Sequence, residues 1–224
     1  SLVYGADIER AGAILPRWRD LTGTDDAIAP RSEMISRRQI DRLYVVGSND
    51  TTAPVIEGSY QRFLKLFRAH LTQGGFVLGR RPASSDFALY GQLTQLAAFD
   101  PTPMALTLNN EPQVYAWVSV VDDLSGADPT EADWSDPTDL PSTLSDLLDE
   151  IGRTYVPVML ANARAIDQGI EEVNTEVEGA RWIQQPFPYQ ARCLSWLRAS
   201  YVSLDDKDRA MVDDILTPSG CGQL

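Results

Sequence analysis

The side chains that could do nucleophilic or acid–base chemistry are few: one histidine, His70, and two cysteines, Cys193 and Cys221, in 224 residues. A histidine works as a general base only beside a reacting partner and an orienting group. No Ser, Cys or Asp arrangement around His70 matches a known nucleophile motif. His70 falls near the end of an apolar-striped helix, where the macrodipole favours a cation, and it reads as a dipole-compensating residue. Cys193 sits between apolar neighbours and reads as a small buried hydrophobe. Cys221 follows Gly220 in a tail that reads as exposed, with no adjacent Lys or Arg to depress its pKa. No catalytic residue is assigned on these grounds.

Metal and phosphate chemistry fare no better. A single histidine cannot build a multi-His site, and the two cysteines form neither a CxxC pair nor a zinc cluster. Asp128, Glu131, Asp133, Asp136 and Asp139 could offer calcium its oxygen ligands, but the EF-hand pattern of Gly at the sixth position and Glu at the twelfth is absent. That stretch reads as a solvated loop, and no metal ligand is assigned. Gly74, Gly75 and Gly79 around Phe76-Val77-Leu78 lack the GKS/GKT signature and the dinucleotide spacing, so they read as a helix stop and a turn.

Composition sets wider limits. Lys and Arg number 19 against 32 Asp and Glu, a formal charge of −13. Such a balance disfavours nucleic acid, which needs clustered cations against phosphate. No stretch approaches the roughly 18 apolar residues of a membrane span. Ser1–Ile8 lacks the basic and apolar regions of a signal peptide, and the missing initiator Met reads as a processed or truncated start. Sparse cysteine fits a reducing, cytoplasmic compartment.

The elements that must carry any site are helical. Ile56, Tyr60, Phe63, Leu64, Phe67 and Leu71 recur at spacings of three and four over 54–73, with Arg62, Lys65 and Arg68 opposite. Over 86–99, Phe87, Leu89, Tyr90, Leu93, Leu96, Ala97 and Phe99 cover most of the circumference, which predicts a central helix buried on all sides. Asp100-Pro101-Thr102-Pro103 ends it. Val114, Trp117, Val118 and Val121 stripe a short helix from about Pro112. A long helix runs from Leu144 to Ile166, with a kink expected near 153–156 from Pro157. Helices over 189–201 and 205–216 come next, and 7–20 and 31–46 are weaker candidates. Strands are expected only at 44–46 and 76–78. The fold class is therefore all-α: a single helical domain over 1–224, with a core at about 31–124, an acidic Pro-rich loop at 125–141 and C-terminal helices over 142–216.

Aromatics between such helices could wall an apolar ligand pocket: Tyr44, Tyr60, Phe63, Phe67, Trp117, Tyr155, Trp182 and Phe187 are the candidates, although a stripe at helical spacing is also what a core requires.

The segment Gly79-Arg80-Arg81-Pro82-Ala83-Ser84-Ser85-Asp86-Phe87-Ala88-Leu89-Tyr90-Gly91 resembles the start of the central helix in the C-terminal domain of the glutathione S-transferase family. There a Pro precedes a capping Ser or Thr, and an Asp follows three residues later, so that cap and acid satisfy orphan amides at a buried helix end. Leu96–Pro103, Pro112–Val118, Arg42–Asn49 and Tyr189–Leu197 are similar to a bacterial transferase-like group. Two departures stand out. Ala83 holds the cap position and cannot accept the amide bond, a loss of roughly 1 kcal/mol, unless Ser84 takes over one residue later. Asp86 suits a helix N-terminus in either frame. The second departure is that no βαβ pattern exists for the family's thioredoxin-like N-terminal domain.

The resemblance implies the hydrophobic-substrate domain of an enzyme that transfers the glutathione thiolate to a small hydrophobic electrophile. Glutathione would be the co-substrate of the parent protein and would not be bound by this chain alone. The thioredoxin-like domain would be a partner, and a homodimer is expected. Tyr60, Phe63, Phe67 and Tyr90 are the pocket candidates, while Ser84 and Asp86 are the capping residues. The parent is read as an enzyme and the chain alone as inactive. The competing reading is a non-catalytic binding or assembly module on the same helices, with the acidic surface choosing partners.

Overall fold

A computed structural model of the chain describes residues 12–224. In chain order its bounded helices are α1 (Asp25–Asp41), α2 (Ala53–Gly74), α3 (Ser84–Leu96), α4 (Pro101–Asn110), α5 (Pro112–Asp122), α6 (Ser142–Asp167), α7 (Pro188–Val202) and α8 (Asp206–Leu216); the strands β1 (Val173–Val177) and β2 (Ala180–Gln184) lie between α6 and α7. The chain is mostly helical, as the periodicity predicts. It divides into two compact units, one of residues 12–43 and 74–133, the other of 44–73 and 134–224. The candidate helix at 7–20 lies in part outside the described residues.

In the first unit, α1 starts six residues before the expected 31 because Thr24 caps it, its hydroxyl accepting the Ala27 amide, with Asp25 and Asp26 favourable in the first turn. Pro30 is tolerated close to that start. The Asp100-Pro101 junction ends α3 and also opens α4, since proline's fixed φ suits the first helical position. α3 and α4 both pack on α5, whose Val114, Trp117, Val118 and Val121 are buried. The expectation of a fully buried central helix is corrected here. Within α3 only Asp86 and Leu93 are buried, and Phe87 is 52% exposed. An apolar circumference cannot be covered when the main packing partner is a single helix.

The second unit is built on α6. Its Leu144, Leu147, Val156, Val158, Met159 and Ala161 are buried, and the helix is continuous through Pro157. The hairpin packs on it, and Val55 of α2 joins Val158, Val177 and Trp182 in one apolar cluster. The two short strands are an addition that the helical reading does not foresee. Val173, Val177, Trp182 and Gln184 point inward with a period of two, and Glu178 and Gly179 turn the chain, both at positive φ. The expected strands are absent. Leu43–Val46 is a 3-10 turn, and 76–78 is a tight turn closed by a Phe76–Gly79 bridge.

Two polar details lock this unit. Asn162, fully buried on α6, donates from Nδ2 to the Phe187 carbonyl at 3.0 Å and accepts the Phe187 amide at 2.7 Å, holding the approach to α7. Replacing Asn162 with Leu leaves the Phe187 amide without its partner, while the Phe187 carbonyl keeps the Gln190 amide at 3.1 Å; it should cost roughly 1–2 kcal/mol, read as a lower urea midpoint. Gly152 faces the chain near its C-terminal end, where a Cβ would lie 1.8 Å from the Ser219 carbonyl oxygen. Only glycine permits that approach. It brings Cys221 to donate to the Leu148 carbonyl at 3.3 Å, so Cys221 is buried, contrary to the exposed tail expected.

Candidate functional site

The most organised polar feature in the first unit is the turn that leads into α3. Asp86 is the third residue of the helix and is fully buried. One carboxylate oxygen accepts the Ala83 amide at 2.9 Å, and the other accepts the Val77 amide, also at 2.9 Å. Ala83 is the N-cap and contributes no side-chain bond, so only the acidic half of a capping box operates. Ser84 is the first helical residue and is exposed; the frame in which it would cap is not the one adopted.

Around this carboxylate the turn is held from three sides. Trp117 Nε1 donates to the Gly75 carbonyl at 2.9 Å, with Gly75 at φ 86° where a side chain would be strained. The Arg80 amide donates to the Asp133 carbonyl at 2.8 Å, and the Arg80 guanidinium meets the Asp133 carboxylate at 2.9 Å. Arg81 reaches the Thr130 carbonyl and Glu131. A backbone turn fastened by a buried acid, an indole and two arginines is a rigid support for the start of α3. It carries no nucleophile.

The acidic loop is engaged in its own turns. The Thr130 amide, with its hydroxyl, holds the Asp133 carboxyl below the usual carboxylate range, and Arg80 adds to the effect. Thr138 does the same to Asp136. Among the described residues no three His, Cys, Asp or Glu side chains converge as a metal site would require.

The pocket candidates fall in different units. Tyr60, Phe63 and Phe67 lie on α2 in the second, and Tyr90 on α3 in the first. Phe67 is fully buried and stacks on the half-buried Phe63 at 5.3 Å between ring centroids. Phe67 is thus a core residue that supports Phe63 from beneath. Tyr60 is half-buried. The Tyr90 hydroxyl donates to Asp122, which pushes its pKa above the ordinary tyrosine value. Of the remaining aromatics, Trp117 and Trp182 are buried, whereas Tyr44 is 50% and Tyr155 43% exposed.

His70 is buried at 1% exposure, with Nδ1 2.9 Å from the Thr143 hydroxyl on α6. This contact joins α2 to α6 near the end of α2. Cys193 is half-buried, and neither thiol is in a disulfide.

Sequence reasoning missed an ion-pair cluster in the second unit. Arg62, expected on the solvent side of α2, turns inward. Its Nε lies 2.9 Å from one Glu150 oxygen and its Nη2 2.9 Å from the other. Arg62 also donates to Glu178 in the hairpin turn, and Arg153 reaches Glu150 at 2.7 Å. Glu150 pushes the Arg62 pKa above the ordinary arginine value. The signal available in sequence was an Arg beside an apolar stripe and a Glu within one.

Among the described residues the chain is mostly helical, with one β-hairpin. Among the described residues no helix is long and apolar enough to cross a membrane. No family model, no curated protein and no solved structure matches the chain.

Proposed function

We propose that this chain is the helical, hydrophobic-substrate-binding part of a glutathione S-transferase-like enzyme. The single observation that supports the reading most is the Asp86 carboxylate. It sits at the third position of α3 and accepts two amides of the preceding turn. The bond to Ala83 is the acidic half of the cap that the resemblance of residues 79–91 implies, made without its partner because Ala83 cannot cap; the bond to Val77 is additional.

On this reading the chemistry belongs to a thioredoxin-like domain, which binds glutathione and lowers its thiol pKa so that a thiolate meets the electrophile. The helical part contributes apolar contact area. Phe63, held by Phe67, and the half-buried Tyr60 would offer it from α2. Tyr90 would offer a ring whose hydroxyl is already engaged by Asp122. The enzyme would work as a homodimer in the cytoplasm.

The test compares this chain with the same chain joined to its natural upstream sequence, using glutathione and 1-chloro-2,4-dinitrobenzene and following conjugate absorbance. Conjugation by the longer protein alone is the expected result. Conjugation by the 224-residue chain alone would sink the assignment, and so would a longer protein that folds, binds glutathione and leaves the electrophile untouched.

A further inference from the structure

A surface helix ordinarily buries an apolar stripe and wets a polar one. α7 departs from that rule. Of its 15 residues only Leu194 is buried, and the outward face carries rings: Tyr189 and Trp196 are each more than half exposed. Tyr189, Cys193, Trp196 and Ser200 recur at spacings of four, three and four, the seam along which one helix meets another. The rings are already ordered. Trp196 meets Tyr189 edge-on at 6.1 Å between centroids, and Tyr189 meets Phe187 at 6.1 Å. Tyr155 of α6, 43% exposed, widens the patch; burial and then the nearby Cys193 raise its pKa. A contiguous apolar patch of this kind marks a contact with another protein.

The face has two unlike halves. Long helical side chains lean toward the helix N-terminus, so Trp196 closes on Tyr189 and the rings form a ridge over the first half of α7. The second half is low, with Ala199, Ser200 and Ser203 all exposed. An antiparallel two-fold pairing in which Tyr189 faces Ser200 of the partner subunit seats each ridge on a low half. A parallel pairing would set ridge on ridge. The face is therefore complementary to itself, as an isologous contact requires.

Charge favours the same occupant. From Gly179 to Leu204 the sequence has three arginines and no acid, in a chain of net charge −13. Two copies meeting here bring no carboxylates of α7 together, and repulsion from the rest of the surface is screened beyond roughly 8 Å at physiological salt. Arg198 is already engaged by Leu224. In the antiparallel register Arg192 faces Leu197 of the partner subunit, so the two Arg192 guanidiniums do not oppose each other.

We propose that α7 is the contact between two copies of this chain, packed antiparallel about a two-fold axis with the aromatic ridge of each on the low half of the other. One helix face covers less than the roughly 800 Å² per partner of a standard interface, so the dimer dissociates on dilution. The proposal goes beyond the transferase reading and does not rest on it: mass reads this contact, and conjugation reads that chemistry.

Sedimentation velocity over a range of concentrations tests it in the intact chain. The wild type should pass from monomer to dimer as concentration rises. Trp196→Glu should weaken the dimer about thirtyfold, the fold-change of the roughly 2 kcal/mol of an interface hot spot. Ser200→Trp makes the face more apolar yet fills the low half, and should weaken the dimer about tenfold. Val202→Gln alters an equally exposed residue on the opposite side of α7 and should leave the mass profile unchanged. All three positions are exposed, and far-UV circular dichroism of each variant should match the wild type. A wild-type chain that stays monomeric at every concentration overturns the proposal and leaves the face to a different protein. A dimer indifferent to Trp196→Glu overturns it as well, and so does a Ser200→Trp protein that associates as tightly as the wild type, which would show apolar adhesion without a fitted seam.

Discussion

Replacing Asp86 with Ala should release the turn before α3 and destabilise the first unit by about 3 kcal/mol, from two charge-assisted bonds to amides that stay buried. The Asp86 side chain is fully buried, and its two oxygens serve two different amides, Ala83 and Val77. Water cannot replace either bond without opening the turn. Hydrogen exchange gives the most local measurement: the Val77 and Ala83 amides should exchange on the order of a hundredfold faster, since each 1.4 kcal/mol is a factor of ten. Asp86→Asn retains the shape but only one acceptor oxygen, and should lie between wild type and Asp86→Ala. If both amides exchange at the wild-type rate in Asp86→Ala, the carboxylate does not hold the turn.

Replacing Arg62 with Met should cost the second unit about 3 kcal/mol, because it leaves a buried carboxylate with part of its compensation removed. Glu150 has a side chain only 7% exposed and takes two nitrogens of the Arg62 fork. Arg153 remains as a partner, but its own side chain is 54% exposed and supplies a single bond to Glu150. Arg62→Lys should lose most of the same stability, since an ammonium cannot match the fork. The double variant Arg62→Met with Glu150→Leu should recover much of the loss, as apolar replacement of a buried pair generally does. Urea unfolding of the four proteins, followed at the tryptophan fluorescence, gives the comparison. A double variant less stable than Arg62→Met would show that the pair contributes more than compensation for its own burial.

Together these two clusters show how unevenly the molecule could be read from its residues. The apolar stripes of α2, α5 and α6 were legible because one face of each is buried, and burial imposes a period of 3.6 on the side chains. The hairpin was less so. Its alternation of Val173, Thr175 and Val177 is brief, and its turn uses Glu178-Gly179 in place of the commoner Asn-Gly. α4 was hidden because an Asp-Pro-Thr-Pro run reads as a stop although it is equally a start. Asp86 was recognisable as a helix-start acid, yet the Val77 amide that it also accepts lies in a separate turn nine residues earlier.

Residue order alone therefore determines the helical class, the scarcity of catalytic side chains and the place where α3 begins. These depend on interactions between neighbours a few positions apart, which repeat with the helical period. The burial of His70, the inward turn of Arg62 and the bond of Asn162 to Phe187 came only with the folded chain. Each joins groups that packing alone brings together, and a side chain's charge does not disclose whether its partner will be water or a residue 88 positions away, as Glu150 is from Arg62.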